Sequence, residues 1–372
     1  MGECPKYLKD YEEIWVKDPK QAKLKWFQDA KYGLFLHYGL YSLMHDREWI
    51  QFFDKIPVAE YEKLTEQFTA HNFDADYITD LALKAGMKYI NLTTCHHEGF
   101  CLWDSKIEPF NSMNAAGRDL VKELSEACDR KGLGFFAYYT FMLNWHHPYY
   151  VDNTVFDSAR PAYEQPEPRY LYRKKEDFQH YIDYIEQVMD ELLSNYKITG
   201  IWLDLIAAWY AMGEEYIPIE RIYANLRKKH PDVLISWKQG ATGTEDFASP
   251  ENSFHDLADS IRPRFGEAGA QRARKGFEGN RHKHNEICST IQRGCWGYNP
   301  RFENRSVEEL YALLGHAAAN NCNLLLNTGP MADGSIHPSH VKILLELGEK
   351  IRREGFPAAG ASSQNITGAG AE

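Results

Sequence analysis

Gly200-Ile201-Trp202-Leu203-Asp204 is a short apolar run that closes on a carboxylate. Its length and residue types suit a strand buried on both faces, the kind found in parallel sheets covered by helices. Working outward, similar runs recur at Tyr32 to His37, Tyr89 to Thr94, Gly134 to Thr140, Val233 to Trp237 and Asn323 to Asn327, with a weaker one at Glu286 to Ile291. Amphipathic stretches lie between them. The clearest, Asp177 to Tyr196, sets Ile182, Ile185, Val188, Met189, Leu192 and Leu193 on one helical face. Others are Ala75 to Ala85, Asp119 to Lys131, Ile219 to Lys229, Val307 to Asn320 and Val341 to Arg353. This alternation predicts an α/β protein, a (β/α)8-type, TIM-like barrel. A doubly wound open sheet is the alternative, and no GxGxxG follows the first strand to favour it.

In a βα barrel the carboxyl ends of the strands form one mouth, where chemistry gathers. Those ends here carry His37, then His96 and His97, then Tyr138 and Tyr139, then Asp204. Long segments after strands, Asn144 to Arg173 and Gly240 to Glu286, read as loops that build a site. The expected layout is a single catalytic domain over residues 1–355. A Gly-, Ala- and Ser-rich tail, 356–372, follows it and is expected to be disordered.

The 372 residues are 44% hydrophobic and 14% aromatic, enough rings to fill a large core and still face the apolar side of a sugar. A formal charge of -11 argues against a nucleic-acid partner, because phosphate backbones are bound through clustered Lys and Arg. The one basic stretch, Arg262 to Lys283, is broken by Glu267 and Glu278 and reads as a solvated loop. No run of eighteen apolar residues exists, so no membrane span is expected. Met1 to Trp15 has no apolar signal core, and seven Cys without regular spacing read as reduced thiols. Both point to a cytoplasmic protein.

A carboxylate leaving a strand into a barrel mouth can attack an anomeric carbon, although Asp204 could equally cap the next turn. A retaining glycosidase needs a second carboxyl nearby, held protonated to deliver a proton to the leaving oxygen. Glu245, Asp246 and Glu251, in the loop after the next strand, are candidates, and Glu278 is a fourth. His37, His96 and His97 could ligate a metal, but there is no HExxH, and the His282/His284 pair sits in the basic loop. As neutral donors they suit sugar hydroxyls.

Several of these segments resemble the α-L-fucosidases of glycoside hydrolase family 29. Lys31-Tyr32-Gly33-Leu34-Phe35-Leu36-His37-Tyr38-Gly39 is similar to the family's first-strand signature. His96-His97-Glu98-Gly99-Phe100 is similar to its paired-histidine motif, with Glu98 where Asp is usual. Tyr138-Tyr139-Thr140 with Trp145, Ile201-Trp202-Leu203-Asp204, Cys295-Trp296-Gly297-Tyr298-Asn299 and Asn323-Leu324-Leu325-Leu326-Asn327-Thr328-Gly329-Pro330 follow in the family's order.

The resemblance implies an exo-acting, retaining hydrolase of terminal α-L-fucose, working on fucosylated oligosaccharides or glycoconjugates without metal or organic cofactor. It makes Asp204 the nucleophile and sets His37, Trp49, His96, His97, Tyr139, Trp202 and Trp296 around the fucose. Lys238 stands where some relatives have Arg, and Leu205 where many have Gly. For the acid/base it points first to Glu251 and second to Asp246, with Glu278 assisting. The chain stops soon after the barrel, without the β-sandwich common in the family, and family habit suggests an assembly of copies. A fucose-binding, lectin-like barrel without turnover and a metal-dependent barrel hydrolase are the alternatives.

Overall fold

All the expected strands form. The computed structural model describes residues 2–358, so most of the tail expected at 356–372 lies outside the described residues. The strands are β1 (Tyr32–Leu36), β2 (Tyr89–Cys95), β3 (Gly134–Tyr139), β4 (Gly200–Leu203), β5 (Leu234–Trp237), β6 (Asn285–Thr290) and β7 (Cys322–Thr328). They pair in parallel in the order β5-β4-β3-β2-β1-β7-β6. Every residue in them is buried, which accounts for their unbroken apolar character.

The ring is closed between β5 and β6 by a stretch that the sequence reading assigned to a loop. Asp246 N donates to Ile235 O at 2.7 Å, while on the other side Glu286 N donates to Ala248 O and Cys288 N to Pro250 O, each at 2.9 Å. Residues 246–252 therefore run parallel between two strands as an eighth stave. Its pairing is irregular because Pro250 has no N–H to offer and Ala248 N turns to the Asn285 side chain instead.

Among the described residues eight longer helices accompany the strands: α1 (Pro19–Ala30), α2 (Ala75–Lys84), α3 (Leu120–Lys131), α4 (Phe178–Asn195), α5 (Ile219–Lys229), α6 (Ala258–Asn280), α7 (Val307–Ala319) and α8 (Pro338–Glu354). Two were not anticipated. Helix α1 starts on an Asp18 cap with Pro19 in its first turn. It plugs the amino-terminal end of the barrel, stacking Trp26 on Phe136 and Phe27 on Phe247. Helix α6 takes up most of the basic stretch read as a solvated loop, and it is kinked at Gly266. Its charges are paired: Arg262 with Asp259 and Glu267, Arg264 with Asp157, Arg274 with Asp256.

Side chains alternate between two cores, as strand geometry requires. Phe35, Tyr89, Phe136, Tyr138, Trp202, Leu234, Phe247, Cys288 and Leu325 fill the barrel, together with Trp26 and Phe27 from below. Their chain neighbours, such as Leu34, Leu36, Ala137, Tyr139, Ile201 and Leu203, pack outward in the layer shared with the helices.

Candidate active site

The same alternation selects what reaches the mouth. Asp204 lies two residues beyond the inward-facing Trp202, and His37 two beyond Phe35, so both continue the inner row past the ends of their strands. Asp204 is 6% exposed. Its Oδ2 accepts from Tyr138 Oη at 2.6 Å and lies 3.8 Å from His97 Nε2. Its Oδ1 accepts from Leu205 N at 2.6 Å and lies 3.2 Å from Lys238 Nζ. Leu205, at φ 61, adopts the left-handed conformation that turns the chain away and leaves the carboxylate facing the mouth.

Lys238 reaches Glu251 as well as Asp204. Burial works against its charge, yet the two carboxylates outweigh that and hold the ammonium above the ordinary lysine range. Two carboxylates that touch one ammonium are close together, the arrangement a retaining pair needs, whereas an inverting pair stands apart by roughly 6.5–9.5 Å to admit a water.

The histidines form the opposite wall. His37 Nδ1 pairs with Asn327 Oδ1 at 2.7 Å, and His97 Nδ1 with Thr140 Oγ1 at 2.6 Å, which fixes each ring. Burial and then the neighbouring His96 push both well below the usual histidine range, so they are neutral at physiological pH. His96 stacks on Tyr138 and has Glu98 3.5 Å from its Nδ1. Trp296 lies 5.0 Å from the His37 ring and Trp49 5.1 Å from the His97 ring, both half-buried. Trp202 is fully buried beneath them, stacked on Tyr138, and forms the floor.

Three residues expected at the site are not there. Asp246 begins the eighth stave and Glu251 ends it. At about 3.3 Å per residue they are roughly 16 Å apart, at opposite ends of the barrel. Asp246 caps the start of β5 through Ile235 N and pairs with Lys20 of α1. Tyr139 faces outward, with its hydroxyl buried and unpartnered in the layer beneath the helices. Its neighbour Tyr138 takes the place expected for it. Glu278 is exposed on α6 and paired with Arg281 at 2.8 Å.

Two further buried carboxyl groups, Glu48 and Glu286, lie at or below the site. Glu48 is buried beside Trp49 and accepts from Gly297 N at 3.1 Å, tying the Trp49 and Trp296 segments together. Glu286, inside the barrel, accepts from Trp202 Nε1 at 2.9 Å and from Tyr89 Oη at 2.5 Å. Burial without a cation raises its carboxyl to about 7, against the pull of those hydrogen bonds. The period of two gave a signal for Glu286, since it precedes the inward Cys288 by two.

Close carboxylates at the carboxyl-end mouth of such a barrel, among neutral donors and aromatic rings, define a glycoside hydrolase. Comparison identifies which kind. The α-L-fucosidase family model matches residues 4–355, and the chain belongs to that family. It is 28% identical to the tissue α-L-fucosidase of Mus musculus over 92% of this chain and 72% of that one. With the plasma α-L-fucosidase of Homo sapiens it shares 26% over 95% and 73%. Among solved structures, α-L-fucosidase isoenzyme 1 of Paenibacillus thiaminolyticus superposes with a TM-score of 0.73 at 30% identity, covering 94% of this chain and 81% of that one. An α-L-fucosidase of Lactobacillus casei in complex with its α-L-fucose product gives 0.72 at 28%, covering 89% and 99%.

Proposed function

We propose that this fucosidase works by double displacement, with Asp204 as nucleophile and Glu251 as acid/base. An Asp204 oxygen bonds to the anomeric carbon as the bond from that carbon to the aglycone oxygen breaks, and Glu251 gives its proton to that oxygen. Glu251 then takes a proton from water, whose oxygen displaces Asp204 and releases fucose with its original configuration. The observation that carries this reading is the single ammonium of Lys238 set against both carboxylates. A barrel that only bound fucose would have no use for that arrangement.

The neutral imidazoles of His37 and His97, with the His96 ring beside them, are suited to the sugar hydroxyls, and the Trp296 face to its C5 methyl. As Asp204 passes from anion to ester, Lys238 is left to Glu251, supporting the anionic form that acts as base in the second step. Two measurements on an aryl α-L-fucoside test the reading. Asp204→Ala should abolish turnover while the fold persists, and proton NMR should find α-L-fucose as the first product of the unsubstituted protein. Undiminished turnover by the variant, or β-L-fucose formed first, would overturn it.

A further inference from the structure

The long segment that follows β3 forms an open cleft on the same side of the barrel as the site. Its volume is about 470 Å³, and its lining includes Arg160, Tyr163, Glu167, Tyr170 and Arg173. Arg160 is 8% exposed, with its guanidinium 3.9 Å over the Tyr170 ring. One of its amino groups donates to Tyr150 O, yet its buried Nε has no partner, and among the described residues no carboxylate lies within ion-pair distance. Arg173 spends its Nη1 on the carbonyls of Tyr170 and Tyr172, at 2.9 and 2.7 Å, and likewise has no carboxylate partner.

The acids that line the same cleft are otherwise engaged. Asp152 caps a turn through Thr154, and Glu167 accepts from the backbone of Arg169 and Val58. Two guanidinium groups thus meet one cavity without a carboxylate counter-ion, Arg160 buried in its wall and Arg173 exposed at its rim. Burying a cation as Arg160 is buried is costly unless an anion joins it. Tyr163, whose hydroxyl is buried and unpartnered, and the adjoining Pro161 and Pro166 add apolar faces of the sort that sugar rings pack against.

The cleft adjoins the active site through a short relay. Tyr170 Oη donates to Trp145 O at 2.8 Å, and the Trp145 ring lies 5.6 Å from His97 and 5.2 Å from Trp49. We propose that this cleft is an oxyanion site, in which Arg160 and Arg173 receive the carboxylate or sulfate of an acidic sugar unit in the glycan that presents its fucose to Asp204. A planar fork of donors over an aromatic ring suits either group. This rests on the fucosidase reading and narrows its substrate class to acidic fucosylated glycans.

The test compares kcat/KM for fucosylated oligosaccharides bearing a sialic acid, a sulfate ester or neither, at low salt. The expected result is a preference of about tenfold for an acidic glycan, the worth of one charge-assisted hydrogen bond. It should shrink with salt. The preference should be lost in Arg160→Gln and in Arg173→Gln, and reading it as a ratio cancels any loss common to all substrates. If Arg160→Gln does not fold, Arg173→Gln decides. A ratio near one in the unsubstituted protein overturns the proposal, as does a preference that survives both substitutions. So does binding of free N-acetylneuraminate or sulfate without any preference among glycans. Failure to turn over any fucoside, neutral aryl fucoside included, would instead sink the fucosidase reading. Titration with N-acetylneuraminate, followed by the quenching of Tyr163 and Tyr170, would then still report on the cleft.

Discussion

The phenol of Tyr138 donates to Asp204 Oδ2 over 2.6 Å, whereas the next residue along the same strand, Tyr139, has its hydroxyl buried with no partner at all. A donor to an ionised carboxylate is worth about 1.5–3 kcal/mol, and here it also orients the carboxylate proposed to attack. Tyr138→Phe should therefore lower kcat for an aryl fucoside by about ten- to a hundredfold, with a smaller change in KM. Tyr139→Phe removes only an unsatisfied hydroxyl and should leave kcat unchanged and Tm the same or higher. Equal effects of the two substitutions would contradict the placement of these side chains.

The eighth stave sorts the two acid/base candidates. Glu251→Ala should slow aryl fucosides with poor leaving groups most, and azide should restore turnover by forming α-L-fucosyl azide. Asp246→Asn breaks the Lys20 pair and weakens the cap on Ile235, costing about 1 kcal/mol of stability. Per folded molecule it should hydrolyse fucosides normally and gain nothing from azide. Azide rescue of Asp246→Asn would reverse the assignment.

Lys238 offers a separate check, because it touches both carboxylates. Lys238→Met removes the cation that bridges the two carboxyl groups and should reduce kcat/KM on the order of a hundredfold. Lys238→Arg, which keeps the charge, should recover part of the loss. Full activity in the methionine variant would show that the bridge is dispensable.

Glu286 links the barrel interior to pH. Its carboxyl is raised from 4.5 unfolded to about 7 folded. Between those values the folded state holds a proton that the unfolded state has lost, so its stability advantage fades as pH climbs through the window and is gone above it. The change should amount to about 3 kcal/mol. Urea unfolding at pH 5 and pH 8 should show this decline in the unsubstituted protein and a much flatter profile in Glu286→Gln. A profile identical in both would exclude Glu286 as its source.

Much of this was legible before any coordinates. Strands buried on both faces announce themselves as apolar runs, and their terminal residues supplied Asp204, His37, His96 and His97. What escaped depends on pairing rather than composition. Residues 246–252 carry Pro250 and no β-branched run, so only hydrogen bonds from both neighbouring strands reveal them as a stave. Helix α6 was obscured by Pro263 and four glycines. Two of those, Gly276 and Gly279, let it press against Gly240 and Gly243, where a Cβ on Gly276 would sit 1.9 Å from a carbonyl oxygen. The motif resemblance points to Tyr139, whereas the alternation of side chains along β3 points to Tyr138. Counting in twos back from Asp204 to Trp202, and along β3 from Phe136, lands on Tyr138.

The unequal build of the barrel bears on how such enzymes diversify. Asp204 follows a strand laddered on both sides, so moving it would disturb two neighbours at once. Glu251 ends the stave with the sparsest pairing, and Asn252, at φ 58, turns the chain there immediately afterwards. With the roles proposed above, insertions or substitutions in that stretch would relocate the proton donor while the nucleophile stays in register. On those roles the reaction is anchored at one carboxylate and adjustable at the other, which would leave descendants of this scaffold free to fit new leaving groups without rebuilding the ring.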